Sequence, residues 1–228
     1  LHLLAMDMRA EVWSPLQNSA IWLAAWLWGH ETTDELLDAL TELGGRPECF
    51  DESPFIDLLA LLRAETQELT SQPGAGGEPL LRLILSGPGE APALPAGSES
   101  ARAAAQSSAG SIVVRTNNPE VSLVLIPHPR RAHTAWQVIR EDQPLPSPGL
   151  SQAGEADALL TKATDESADL ITATGYQSTA LSNPRLTVGT LSDFYDTPGL
   201  PPAPPPRAAK LFARADRVAA IIETVTDR

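Results

Sequence analysis

Ser19-Ala20-Ile21-Trp22-Leu23-Ala24-Ala25-Trp26-Leu27-Trp28, closed by Gly29, is the stretch on which the fold of this chain turns. It holds three of the five tryptophans and no charge. On a helix Trp22 and Trp26 share a face, with Ile21 and Ala25 beside them. Leu23 and Leu27 cover the adjoining face and Trp28 widens it. A helix apolar over most of its circumference is normally buried, so the rest of the chain must pack around it. Trp28, at the edge of the stripe beside Gly29-His30, is the one of the three expected at the surface.

Pro15 suits the first turn of this helix and Gly29 its C-terminal stop. Downstream, Thr32 and Glu35 have capping-box spacing, and Leu36, Leu37, Leu40 and Leu43 follow at helical intervals until Gly44-Gly45. Ser53 as N-cap with Pro54 behind it opens a third helix carrying Phe55, Leu58, Leu59 and Leu62. Residues 1–14 form an arm or short strand through Val12 and Trp13. Three helices with short links make residues 1–70 an N-terminal helical unit.

After the flexible link Ser71–Glu78 the period changes from helical to alternating. Leu80–Leu85 reads as a strand ended by Gly87-Pro88-Gly89. Ser98 caps an alanine-rich helix whose face is so small that it must lie close on a sheet. Three further strands follow at Ser111–Thr116, Val121–Ile126 and His133–Arg140, with Asn117-Asn118-Pro119 as turn chemistry between the first two. They form an antiparallel meander, and the earlier strand joins them through the alanine helix to complete a sheet region over 79–141; a parallel crossover is one option, and the sequence leaves that strand's direction open. Residues 151–228 supply two long helices. The first starts at Ser151, with Leu159, Leu160, Ala163, Leu170 and Ile171 as its stripe; the second carries Leu211, Ala215, Val218, Ile222 and Val225. Between them lie the aromatics Tyr176, Phe194 and Tyr195 and the stiff spacer Pro198–Pro206. The expected fold is a single α+β domain over 1–228: a helical unit, a small mainly antiparallel sheet of about four strands, and two long C-terminal helices.

Of the 228 residues, 43% are hydrophobic and 20% charged, which suits a globular chain with a core. The 29 acidic and 16 basic residues give a net charge of −13. That balance argues against sequence-independent binding to nucleic acid and against an anionic membrane surface. The tryptophan stretch is too short to span a bilayer and lacks the basic flank and cleavage site of a signal peptide. A lone cysteine, Cys49, permits no internal disulfide and fits a reducing cytoplasm. The chain opens Leu1-His2-Leu3 with methionines at 6 and 8, so its natural start need not be residue 1.

The search for chemistry is mostly negative. Gly74–Glu78 (GAGGE) precedes a strand and lacks the Lys-Ser/Thr of a phosphate loop, and no G-x-S-x-G elbow is present. His30, Glu31 and Asp34 gather at the first helix junction and form a polar corner. Cys49, Asp51 and Glu52 gather at the next, but neither group has metal-ligand spacing. Cys49 with His30 as nucleophile and base has only proximity behind it. His128, Arg130, Arg131 and His133 are the one local concentration of positive charge, a turn that could take a phosphate, a carboxylate or an acidic partner.

The segments Trp22–Gly29 (WLAAWLWG), Asp34–Leu40 (DELLDAL), Leu80–Glu90 (LLRLILSGPGE) and Pro205–Asp216 (PPRAAKLFARAD) resemble a family of uncharacterised proteins from high-GC actinobacteria. The resemblance spans most of the chain and implies a single intracellular domain. It brings no activity, cofactor or catalytic residue with it. Two functions are therefore expected. The first is a non-enzymatic, intracellular protein-interaction module, binding a protein partner or itself as a homodimer. The alternative is a small-ligand binder or enzyme with a pocket between the helical unit and the sheet. No cofactor, metal, nucleic acid or membrane is called for.

Overall fold

Pro15 begins the first helix, α1 (Pro15–Leu27), and the end of that helix is written into the residues that follow it. The computed structural model describes residues 15–72, 78–84, 93–107, 109–146, 153–175, 200–202, 210–215, 217–218 and 221–222. The arm at 1–14, the cap at Ser151, the aromatics of 176–195 and most of the proline spacer lie outside the described residues. The chain divides into two compact units, Leu1–Pro148 and Gly149–Arg228.

In α1 the burial follows the sequence stripe: Leu16, Ala20, Leu23, Trp26 and Leu27 are all in the core. Gly29 takes a positive φ of 75°. That conformation lets the His30 N–H reach Ala25 O at 2.8 Å and the Gly29 N–H reach Trp26 O at 3.0 Å, the double closure that satisfies the last carbonyls of a helix. Trp22 and Trp26 are 9% and 1% exposed against 40% for Trp28, so the edge tryptophan is the surface one, as its position predicts.

The second helix, α2 (Thr33–Gly44), starts on a complete capping box. The Thr32 hydroxyl accepts from Glu35 N at 3.2 Å, and Thr32 N donates to the Glu35 carboxylate at 2.8 Å. The Thr32 N–H first, and then the Thr32 hydroxyl donating to the same Glu35 oxygen at 2.8 Å, hold the Glu35 carboxyl below the usual carboxylate range. A depressed folded value means that this contribution to stability is present above the ordinary glutamate pKa and is lost as pH falls through the folded one. Thr32→Ala is expected to cost about 1 kcal/mol in urea unfolding at neutral pH. In acid, Glu35→Gln and the wild type should converge in stability; a gap that widens there would rule out this role for the carboxylate.

Gly45 caps α2 and feeds a short strand, β1 (Arg46–Cys49), absent from the four expected. The third helix, α3 (Phe55–Ser71), begins one residue after Pro54, which caps it without a side-chain bond. Ser53 is not the cap: its N–H and hydroxyl both donate to Asp51 Oδ1, at 3.1 and 2.6 Å, in a local turn. That turn satisfies the side chain before the helix can use it. Leu58, Leu59 and Leu62 are buried. Near the other end of α3, Asn117 clamps the helix from a distant turn, donating to Ala64 O at 2.9 Å and accepting from Glu68 N at 3.0 Å.

The sheet has five strands in the order β1-β5-β4-β3-β2, with β2 (Leu81–Ile84), β3 (Ser111–Arg115), β4 (Ser122–Pro129) and β5 (His133–Glu141). It is mixed. β1 runs parallel to β5 in the register Arg46↔His133, and the other pairs are antiparallel. The direction that the sequence leaves open before β3 is antiparallel, so there is no parallel crossover: β2 and β3 pair with Ile84 opposite Ser111. The reason lies in where the chain returns. Gly110, at φ 77°, lies so close to the Ile84 carbonyl that a Cβ there would collide with it, so β3 begins beside the end that β2 leaves.

Each sheet face has its own core. On one, Ile112, Val114, Leu123, Leu125 and Trp136 pack with α1, α2 and α3 in a continuous apolar cluster that includes Cys49. On the other, Val113, Val124, Ile126 and Ile139 meet Ala103 and Ala104 of α4 (Glu99–Gln106), the small-faced helix that lies close on the sheet as its composition requires. Ser98 caps α4, accepting from Ala101 N at 3.1 Å. Ser100 donates at 2.6 Å to the buried carboxylate of Glu141, whose other oxygen accepts from Gln143 N at 3.1 Å. This pins the start of α4 to the end of β5.

In the C-terminal unit, α5 (Ala153–Ala173) is the first of the expected long helices, and described residues of the second are helical at 210–215, 217–218 and 221–222. Among the described residues no helix is long and apolar enough to cross a membrane.

Candidate functional site

The alternation of β4 and β5 decides where the basic turn sends its side chains. Residues opposite each other in register share a face, so Glu48, Ala135 and His128 form one row across β1, β5 and β4. This row lies on the α4 side of the sheet, toward the β1 edge. His128 is buried; its Nε2 pairs with Gln137 Oε1 at 2.9 Å and its ring lies 4.8 Å from that of Phe50. His133 Nε2 stands 3.7 Å from Glu48, which also takes a hydrogen bond from the Arg46 Nε at 3.0 Å. Arg46, and more weakly His133, hold the Glu48 carboxyl below its ordinary range. Arg130 and Arg131 are exposed on the hairpin turn, closed by Arg130 N donating to His133 O at 2.9 Å. The four residues are thus divided: two histidines with neighbours on the sheet face, two arginines in solvent.

At the other corner His30 and Asp34 are exposed and Glu31 half-buried. Desolvation and then the charge of Glu35 raise the Glu31 carboxyl above its usual value. Cys49 points into the core toward Pro54 O at 3.7 Å, while Asp51 and Glu52 are exposed. Burial therefore separates the Cys49 thiol from His30 on the surface. No group of three or more metal-ligating side chains occurs among the described residues.

The space between the helical unit and the sheet is filled by the larger apolar cluster. A cleft lies instead on the opposite face, at the end of β2, β3 and β4, with a volume of about 300 Å³. Its walls are mixed: Leu145 and prolines at 79, 119, 144 and 146 supply apolar surface, and Glu78, Thr116, Glu120 and Gln143 supply polar surface. Two arginines enter it, Arg82 from β2 and Arg115 from β3. Both belong to one sheet face, because Leu80 N-terminal to β2 sits beside Arg115, and Arg82 is two residues further along. Ser122, opposite Arg115 in register, adds a hydroxyl. Neither arginine was singled out from the sequence. The available signal was a lone arginine inside an otherwise apolar strand run (LLRLIL) and another at the end of SIVVR.

In the C-terminal unit the apolar stripe of α5 faces solvent. Leu159 and Leu170, three turns apart on one side, are 61% and 69% exposed, and Ile171 beside them is 56% exposed. Ile221 and Ile222 of the last helix are exposed as well. The two helices touch through Arg214, which donates to Asp157 at 2.7 Å and to the Thr161 hydroxyl at 2.6 Å.

The family model described as Rv1486c-like protein, N-terminal domain matches residues 17–153, and the one described as Rv1486c-like protein, C-terminal domain matches residues 154–228. The junction falls at the start of α5. Neither a curated protein nor a solved structure matches the chain.

Proposed function

The chain belongs to the Rv1486c-like protein family in both of its parts, and from that premise we propose that it is a non-enzymatic interaction module that self-associates through the C-terminal part. The observation that carries this is the exposed row Leu159, Leu170 and Ile171 on α5, continued by Ile221 and Ile222 on the helix beside it. Two paired amphipathic helices with uncovered apolar faces form half of a four-helix bundle, and a second copy supplies the other half. A two-fold contact needs a patch that complements itself, which apolar rows do. Charge points the same way. α5 carries Glu155, Asp157, Asp165, Glu166 and Asp169 against one lysine, Lys162, whereas the last helix carries Lys210, Arg214 and Arg217. Arg214 already pairs with Asp157 inside one copy, so Lys210 and Arg217 are the charges left to meet the acidic helix of the other. A single cysteine and the acidic balance are compatible with a reducing cytoplasm as its setting.

Size-exclusion chromatography with light scattering on the full chain is expected to give a dimer. Leu159→Glu with Leu170→Glu should return it to a monomer with unchanged far-UV circular dichroism. A wild type that stays monomeric at high micromolar concentration sinks the reading.

A further inference from the structure

We infer that the cleft between the ends of β2, β3 and β4 binds a small organic carboxylate, held by Arg82 and Arg115 and seated against Leu145 and the prolines around it. A guanidinium carries five N–H donors in a planar fork that matches a carboxylate. Among the described residues Arg82 gives one of them, to Pro146 O at 2.9 Å. Arg115 gives one to Glu78 O at 2.9 Å, and its Nε stands 3.6 Å from the Glu78 carboxylate. Toward the described residues, donors of both forks are left over for a ligand. Burial pushes the Arg82 guanidinium down from its ordinary value, so a charge partly stripped of water has an anion to gain.

The acids at the rim set the ligand class. Glu78 and Glu120 line the cleft beside the two arginines, so the four charges balance. A phosphate dianion meets two carboxylates there. A single carboxylate needs only to displace Glu78 from Arg115, an exposed ion pair that contributes little. Leu145 and the prolines beside it then receive a small apolar body, and the volume of about 300 Å³ fits a small molecule. Ser122, opposite Arg115 in register on β4, offers a hydroxyl on the side away from Arg82.

The test is titration of the full chain with benzoate, hexanoate and inorganic phosphate, followed by amide shifts in two-dimensional NMR. Saturable shifts at Arg82, Arg115 and Ser122 are expected with the carboxylates and not with phosphate. Arg82→Ala is expected to weaken binding about tenfold or more. Glu78→Gln, which removes the competing charge while keeping the size of that wall residue, should tighten it about threefold. That gain cannot arise from a misfolded variant. Shifts absent with both carboxylates, or equal affinities for Arg82→Ala and wild type, overturn the proposal. Phosphate binding more tightly than either carboxylate overturns the ligand class. The dimer contact lies on other helices, so the two ideas stand or fall apart.

Discussion

Replacing Trp26 by alanine is expected to cost the N-terminal unit about 3–5 kcal/mol, the largest loss from any one side chain in α1. The indole is 1% exposed and lies where α1, α2 and α3 meet. Its Nε1 donates to the Thr33 hydroxyl at 3.1 Å, tying the end of α1 to the start of α2. The Arg63 guanidinium lies over the ring, 4.3 Å from its centroid, bringing in α3. Truncation thus leaves a large cavity, frees Thr33 and removes a cation–π contact of about 0.5–1 kcal/mol. Trp28→Ala, at a ring 40% exposed, should cost well under half as much. Urea unfolding followed by circular dichroism gives both values. Equal losses at the two sites would mean that the sequence stripe, and not the packing of Trp26, sets the stability.

Gly45→Ala is expected to cost about 3 kcal/mol or more and to disturb β1 in particular. Gly45 sits at φ 76°, ψ 176°, a region that is essentially reserved for glycine and costs other residues about 1–3 kcal/mol. A Cβ there would also stand 2.5 Å from Ala132 O and 3.0 Å from His133 N, in the β4–β5 turn. Next to it, Thr134 donates to Gly44 O at 2.7 Å, so the close approach is fixed from both sides. Gly29 provides the control. Its φ is 75° but nothing lies within 4 Å of an added Cβ, so Gly29→Ala should show only the backbone strain, about 1 kcal/mol. Thermal unfolding ranks the two, and amide hydrogen exchange at Glu48 and Cys49 reports β1. If Gly45→Ala proves no worse than Gly29→Ala, the Ala132 contact is slack.

Local signals were legible wherever a short stretch of sequence could express them. The Thr32–Glu35 box, the Gly29 stop, Ser98 as cap and the four expected strands each rest on residues within one turn or one alternation. β1 escaped because it has four residues, one of them Pro47, and follows two glycines that read as a loop. Its Arg-Pro-Glu-Cys alternation was the faint signal, with Pro47 and Cys49 buried. Proline is tolerated there because β1 is an edge strand. Strand direction between β2 and β3 was hidden for another reason: it depends on where α4 returns the chain, which no local pattern states. The same holds for the cleft. Arg82 and Arg115 are 33 positions apart and become neighbours only through the antiparallel register of their strands. His128 and His133 were noticed as charge, but the pleat gave them Gln137 and Glu48 instead of a shared anion.

The parallel pairing of β1 with β5 also sets an order of events during synthesis. Arg46 leaves the ribosome long before His133, its register partner, and the meander that covers α1, α2 and α3 is made after them. Leu23, Trp26, Leu36, Leu59 and Leu62 therefore stay without their sheet until β3 and β4 have emerged. The β3–β4–β5 meander closes through short turns, whereas β1 must wait for a contact distant in sequence, the slow kind of pairing. The helices that carry the tryptophans are born first and finished last, and in that interval a nascent chain presents its most hydrophobic segment to whatever is near.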